Sequence, residues 1–309
     1  MISEGKICAI VAHDAGGAEV VSSYVRRQNM RCIYSLEGPA RKVFERKLGK
    51  VENLSLDDVI RQADWILCGT SWQSELEYEA IGLARTLGKG SVAFIDHWVN
   101  YRERFERNGE IRLPDELWVG DAISINMALK LFPSTPVYLV ENPYFLDIRD
   151  EIKAIQKETK NVSSGLRVLY VCEPIKEHAL RQFGNERHWG YTEEDALRYF
   201  LNNIAALGKP VERIVIRQHP SESPNKYLWV KKEFNLPIAM GGNSGLVEQI
   251  VNSDVVVGCA SMAMVVGVVA EKIVISSIPT GEGSRQLPLS EIKSLRVLIG
   301  EFLKNKLTQ

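Results

Sequence analysis

The sequence predicts an α/β protein made of two Rossmann-like domains facing each other across a cleft, and three observations carry that expectation. Short apolar runs alternate with helix-period segments along the chain, which is the signature of βαβ units and a parallel sheet. One polar, strongly charged stretch interrupts the series, and 309 residues is enough for two domains of ordinary size. A composition of 45% apolar and 25% charged residues is that of a globular chain and excludes collagen-like, disordered and disulfide-scaffold classes.

The first series supplies strands over 6–12, 31–36, 65–68, 91–95, 116–119 and 137–140, with helices over 19–27, 74–87 and 123–131 between them. In the second of these helices Leu76, Ala80, Leu83 and Leu87 form one apolar stripe, so the opposite, charged face is expected to be solvated. Asp57 and Asp58 fall at a helix start, where carboxylates complement the macrodipole. The apolar period breaks between Glu141 and Gly165, placing a first domain at 1–145, a linker at 146–165 and a second domain at 166–309. The second series has strands over 167–172, 213–217, 237–240, 254–258 and 273–276. Thr192 is positioned to N-cap a helix whose inner face is Leu197, Phe200, Leu201, Ile204 and Leu207. The uncharged run 255–270 is shorter than the roughly 20 residues of a spanning helix, and reads as a buried strand followed by a buried helix.

With 38 basic and 39 acidic residues, the formal charge of −1 provides no broad positive field, so no nucleic-acid partner is expected. Five widely spaced cysteines, four of them in or beside apolar runs, read as reduced, buried thiols. The start of the sequence lacks a cationic region and a cleavage site, so a cytoplasmic location is expected, compatible with peripheral membrane contact.

Ligands of open parallel sheets bind beyond the carboxyl ends of the strands, which directs attention to the residues after each strand. His13, Asp14, Gly16 and Gly17 follow the first strand; the glycines admit a ligand to the backbone and helix N-terminus, and Asp14 or His13 can move a proton. Their alternative reading is a tight turn with a capping Asp. The fingerprint G-x-G-x-x-G is not completed, so no dinucleotide cofactor is expected. Asp96, His97, Trp98, Asn100, Tyr101 and Arg102 crowd the end of the fourth strand, with Asp96 placed as a base or as the group orienting His97. The stretch 102–107 alternates Arg with Glu103 and Glu106, which reads as a solvated or acceptor-facing loop.

In the second half, Arg217-Gln218-His219-Pro220 ends a strand, and the proline turns His219 away from the sheet. Ser261 lies in a strand-to-helix turn whose N–H groups and hydroxyl suit a phosphate. Gly242 and Ser244 belong to a loop between a strand and a helix that can offer backbone groups to a ligand, and its spacing does not match a nucleophile elbow. Glu173 and Ser284 follow the first and last strands of this half and are placed to flank a ligand at that end of the sheet. Cys172, His178 and His188 lack a second ligand pair, so no metal site is expected.

The Arg-x-His-Pro strand end, the later Ser261 turn and the apolar helix leading to Lys272-Ile-Val-Ile-Ser276 together resemble the C-terminal domain of GT-B glycosyltransferases. The resemblance is to families with cytidine-activated donors: bacterial transferases of sialic acid, Kdo and other nonulosonic acids, and CDP-glycerol glycerophosphotransferases. It implies that His219 contacts the donor phosphate, that Ser261 holds the same phosphate, and that an acid in a glycine-containing motif of the first domain is the acceptor base. Asp14 with Gly16 and Gly17 is the first match to that base and Asp96 the second; His13 stands in place of the motif's first acid. The implied activity is metal-independent transfer of an acidic sugar from a CMP-linked donor to a glycan or glycolipid acceptor in surface polysaccharide synthesis, with no further cofactor. A nucleotide-sugar 2-epimerase or hydrolase of the same fold, and a non-enzymatic nucleotide-sugar binding protein, are the alternative expectations.

Overall fold

The structure is a computed structural model that describes residues 5–156, 165–241, 244–279 and 286–307. The chain forms two compact units, Met1–Asp147 and Ile148–Gln309.

The first unit holds a parallel six-stranded sheet. Its strands are β1 (Cys8–Ala12), β2 (Cys32–Leu36), β3 (Trp65–Cys68), β4 (Gly90–Ile95), β7 (Glu116–Val119) and β8 (Val137–Leu139), in the order β2-β1-β3-β4-β7-β8. The connections are α1 (Ala15–Gln28), α2 (Ala40–Leu48), α3 (Leu56–Gln62), α4 (Leu76–Thr86) and α5 (Ala122–Leu131), and α6 (Pro143–Gln156) crosses the division between the units. A small antiparallel hairpin, β5 (Glu106–Arg107) and β6 (Glu110–Ile111), sits between β4 and β7. Its two-residue turn, Asn108-Gly109, has φ of 52° and 82°, the left-handed pair that favours this dipeptide.

Alternation along the strands sends side chains to two apolar layers. Ala9, Val11, Ile66, Cys68, Ala93 and Ile95 pack with residues of α3, α4 and α5. Cys8, Ile10, Ala12, Leu67, Val92 and Phe94 pack with residues of α1 and α2. A sheet buried on both faces explains why these strands read as continuous apolar runs.

The second unit repeats the plan with β9 (Leu166–Val171), β10 (Val211–Arg217), β11 (Ile238–Met240), β12 (Val255–Gly258), β13 (Ile273–Ser276) and β14 (Ile292–Ser294), ordered β11-β10-β9-β12-β13-β14 and all parallel. Its α-helices are α7 (Ile175–Phe183), α8 (Glu193–Asn202), α9 (Val230–Glu233), α10 (Leu246–Val251), α11 (Met262–Val269) and α12 (Leu295–Leu307). Thr192 caps α8 through a reciprocal capping box with Asp195. The run 255–270 is strand β12 followed by α11, and Gly267 lets that helix approach Val256 and Val274 of the sheet. No helix among the described residues is long and apolar enough to cross a membrane.

Strand order locates the binding crevice of each sheet at the point where the chain's direction of travel reverses. In the first sheet that point lies between β1 and β3, and in the second between β9 and β12.

Candidate functional site

In the first unit the reversal point is closely packed. Asp14 is the N-cap residue of α1, but its side chain makes no capping bond; its Oδ1 lies 2.8 Å from His13 Nδ1 instead. Both side chains are about a quarter exposed, at 26% and 27%, so the pair is open to solvent on one side. A Cβ on Gly17 would stand 3.1 Å from the Gly69 Cα and the Thr70 backbone N, so glycine lets the start of α1 approach the loop after β3 without displacing its backbone. A Cβ on Gly16 would stand 2.1 Å from Asp96 Oδ2, which places the Asp96 carboxylate against the first turn of α1, where the helix dipole favours a negative charge.

Asp96 is held from a second side as well. Its Oδ1 accepts a bond of 2.7 Å from Arg104 Nη1, whose side chain is 6% exposed. The same nitrogen donates to the Thr70 carbonyl at 3.0 Å and to the Thr70 hydroxyl. Arg104 therefore departs from the expectation of a solvated loop over 102–107: it turns inward because Tyr101 and Phe105 are buried on either side and Asp96 supplies the counter-charge. The neighbouring Arg102 does pair with Glu106 in the loop, as the alternating charges suggest. His97 accepts the Trp98 N–H at Nδ1 (2.9 Å), and the Trp98 indole donates to Asp121, the N-cap of α5.

A residue that the sequence reading did not single out joins this group. Glu77 of α4 is 2% exposed, and its Oε1 accepts the His13 N–H at 2.8 Å, while Oε2 has no hydrogen-bond partner among the described residues. Burial pushes its carboxyl up to about 7, only partly offset by the His13 N–H. The signal was present in the sequence: Ala80, Ile81 and Ala84 stand three, four and seven residues further on and are all buried, which puts Glu77 on an apolar face.

In the second unit β10, β9 and β12 lie side by side, so the residues that follow them share one end of the sheet. His219 Nδ1 accepts the Ser221 N–H at 3.2 Å and lies 2.8 Å from the Ser221 hydroxyl. An N–H donated to Nδ1 leaves the ring proton on Nε2, so the imidazole presents Nε2–H as its free donor. Burial holds its pKa below the usual 6.5, partly offset by Glu222 and Glu177. The loop beneath is braced by a buried ion network. Glu222 accepts the His219 N–H (3.0 Å), Lys226 Nζ (2.8 Å) and the Tyr227 hydroxyl (2.6 Å), and Lys226 also reaches the buried Glu193. Pro220 is exposed.

Glu173 Oε1 accepts the Ala260 N–H at 2.6 Å across the β9/β12 reversal point, and Ser261 Oγ accepts the Ala263 N–H at 3.1 Å as N-cap of α11. The Ser261 hydroxyl proton is left to donate, because that bond uses only a lone pair of its oxygen. Arg217 acts as a strut: Nη1 donates to the Ser244 carbonyl and to Gln249 Oε1, each at 2.9 Å. Gly242 and Ser284 lie outside the described residues. Among the described residues no group of three His, Cys, Asp or Glu is arranged to hold a metal ion.

Two doubly wound parallel sheets in one chain, each with polar groups gathered at its reversal point, match the two Rossmann-like domains of GT-B folds. Solved structures agree. The UDP-GlcNAc 2-epimerase of Neisseria meningitidis bound to UDP-GlcNAc superimposes with a TM-score of 0.63 at 12% identity, covering 96% of this chain and 91% of that one. The UDP-GlcNAc 2-epimerase of Methanocaldococcus jannaschii gives 0.61 at 10% identity, covering 96% and 92%. An α/β-galactoside α-2,3-sialyltransferase of Photobacterium phosphoreum gives 0.53 at 10% identity, covering 96% and 100%. No family model matches the sequence, and no curated protein does. The chain thus has the fold shared by GT-B glycosyltransferases and UDP-GlcNAc 2-epimerases.

Proposed function

We propose that this protein is a metal-independent glycosyltransferase that moves an acidic sugar from a CMP-linked donor to a glycan or glycolipid acceptor. The observation that carries the reading is the arrangement at His219, where Ser221 fixes the tautomer and a buried Glu222–Lys226 network fixes the loop. A histidine held in this way is a preorganised donor for an oxygen that gains charge as the nucleotide leaves. Ser261 adds its hydroxyl at the start of α11. The cytidine base rests on the resemblance of Arg217-x-His219-Pro220 and Ser261 to transferases of that donor class.

An acceptor hydroxyl needs a base as its bond to the anomeric carbon forms. Asp14 fits that role better than Asp96. Its carboxylate is partly open to solvent and bound only to a histidine, whereas the Asp96 carboxylate is committed to Arg104 and to the start of α1. His13 would keep Asp14 oriented.

The test is release of CMP from a CMP-linked acidic sugar in the presence of glycan acceptors, beside C2 epimerisation of UDP-N-acetylhexosamine. Acceptor-dependent CMP release, lowered about 10²- to 10³-fold by His219→Ala, supports the reading. Epimerisation without an acceptor replaces it with the epimerase reading; binding without turnover replaces it with that of a nucleotide-sugar binding protein.

A further inference from the structure

Glu77 has no part in the scheme above, yet it is the most unusual side chain of the first unit. It is a carboxyl with 2% exposure, it contacts the backbone of the residue that partners Asp14, and one of its oxygens is buried without a hydrogen-bond partner among the described residues. A carboxyl that served only to tie α4 to the turn after β1 would be replaceable by any neutral acceptor, and burying an ionisable group for that purpose carries a desolvation cost. Buried acids of this kind cluster at sites that handle protons.

We propose that Glu77 is a positioning residue for the His13–Asp14 pair: it fixes the turn that carries both side chains and places an ionisable carboxyl behind them. The inference rests on the reading of Asp14 as the acceptor base.

The groups facing Glu77 are few. His13 and Asp14 face it from the turn between β1 and α1, and the buried Cys68 thiol faces it from β3. Burial raises Cys68 well above its ordinary value, so it stays neutral near pH 7 and contributes no charge. An ionised Glu77 puts a negative charge behind the pair; a neutral Glu77 does not. Its own carboxyl, held up to about 7 by burial, changes charge in the range where the pair has to act.

The experiment uses the full chain. The carboxyl carbon of Glu77 and the ring of His13 are followed by NMR from pH 5 to 9 in wild type, and the His13 ring also in Glu77→Gln. The expected result is a Glu77 carboxyl that titrates near 7 and a His13 curve with an inflection at the same pH that disappears in Glu77→Gln. A Glu77 carboxyl that titrates in the ordinary carboxylate range overturns the proposal, and that measurement requires no variant to fold. A His13 curve unchanged by the substitution overturns it as well. With a working transfer assay, kcat should rise through pH 7 in wild type and lose that rise in Glu77→Gln, falling several-fold at pH 8 with KM unchanged; an unchanged pH profile is again against it. If no transfer is found with any donor, the assignment of Asp14 as base fails, while the NMR linkage still decides whether Glu77 governs the pair.

Discussion

Replacing Glu77 by Gln removes an ionisable group from a site where only the neutral form is comfortable, and the size of the effect on stability follows from its titration. The carboxyl ionises at about 7 in the folded chain against 4.5 when unperturbed. Between those values the folded state holds the proton that the unfolded state releases, so the contribution of Glu77 is fully present below pH 4.5 and is lost as pH rises through 7. A difference of this size corresponds to about 3 kcal/mol, at roughly 1.36 kcal/mol per unit. The side chain is 2% exposed, so solvent screening takes little from that figure. Gln keeps a carbonyl for the His13 N–H and has nothing to ionise. The stability of wild type relative to Glu77→Gln should therefore fall by about 3 kcal/mol between pH 4.5 and pH 8, because titrating groups that do not face Glu77 cancel in the comparison. Urea denaturation followed through the amide resonances of β1 and β3 isolates the first unit, which matters because a chain of two units need not unfold in one step. A wild-type-to-variant difference that stays flat across that range refutes the reasoning.

Other outcomes follow from the same geometry. Asp14→Asn should lower turnover by about 10²- to 10⁴-fold with little loss of stability. Asp96→Asn should instead cost stability, because Arg104 is left buried beside a neutral amide; a variant that lowers turnover with an unchanged melting point reverses the assignment of the base. Gly17→Ala should lower the melting temperature of the first unit, since its Cβ would stand 3.1 Å from the backbone of Gly69 and Thr70; wild-type stability would show that the turn yields. His219 should titrate below 6.5 in the free protein, so its contribution to stability is present above 6.5 and lost as pH falls through the folded value. Adding CMP should move that titration upward, as phosphate charge favours the imidazolium, and an NMR titration that does not move separates His219 from the phosphate.

Much of the fold was legible because the central strands of both sheets are buried on two faces, which turns them into apolar runs that need no context to be read. Thr192 and Ser261 announced their helices for an equally local reason, since capping involves residues only two or three positions apart. Strand β14 escaped because it is three residues long and mixed in polarity, Ile292-Lys293-Ser294, and pairs only through tertiary contact with β13. The site was legible as a set of strand ends, and the partners within it were not. That Asp96 belongs to Arg104 and Gly16, and Glu77 to His13, depends on how loops after different strands meet. Arg104 was disguised by the alternating charges around it, and Glu77 by Glu75 and Glu79, its exposed neighbours on α4.

The central claim, a cytidine-linked donor held at His219 and Ser261, is tested most directly by melting the protein with CMP, UDP, GDP and ADP in parallel. A nucleotide that binds only the folded state, present at about 100 times its Kd, stabilises by about 2.7 kcal/mol, which moves the melting of a unit of this size by about 5–10 °C. The account predicts that CMP gives the largest shift and that His219→Ala removes most of it. A larger shift with UDP, or no shift with any nucleotide, contradicts it.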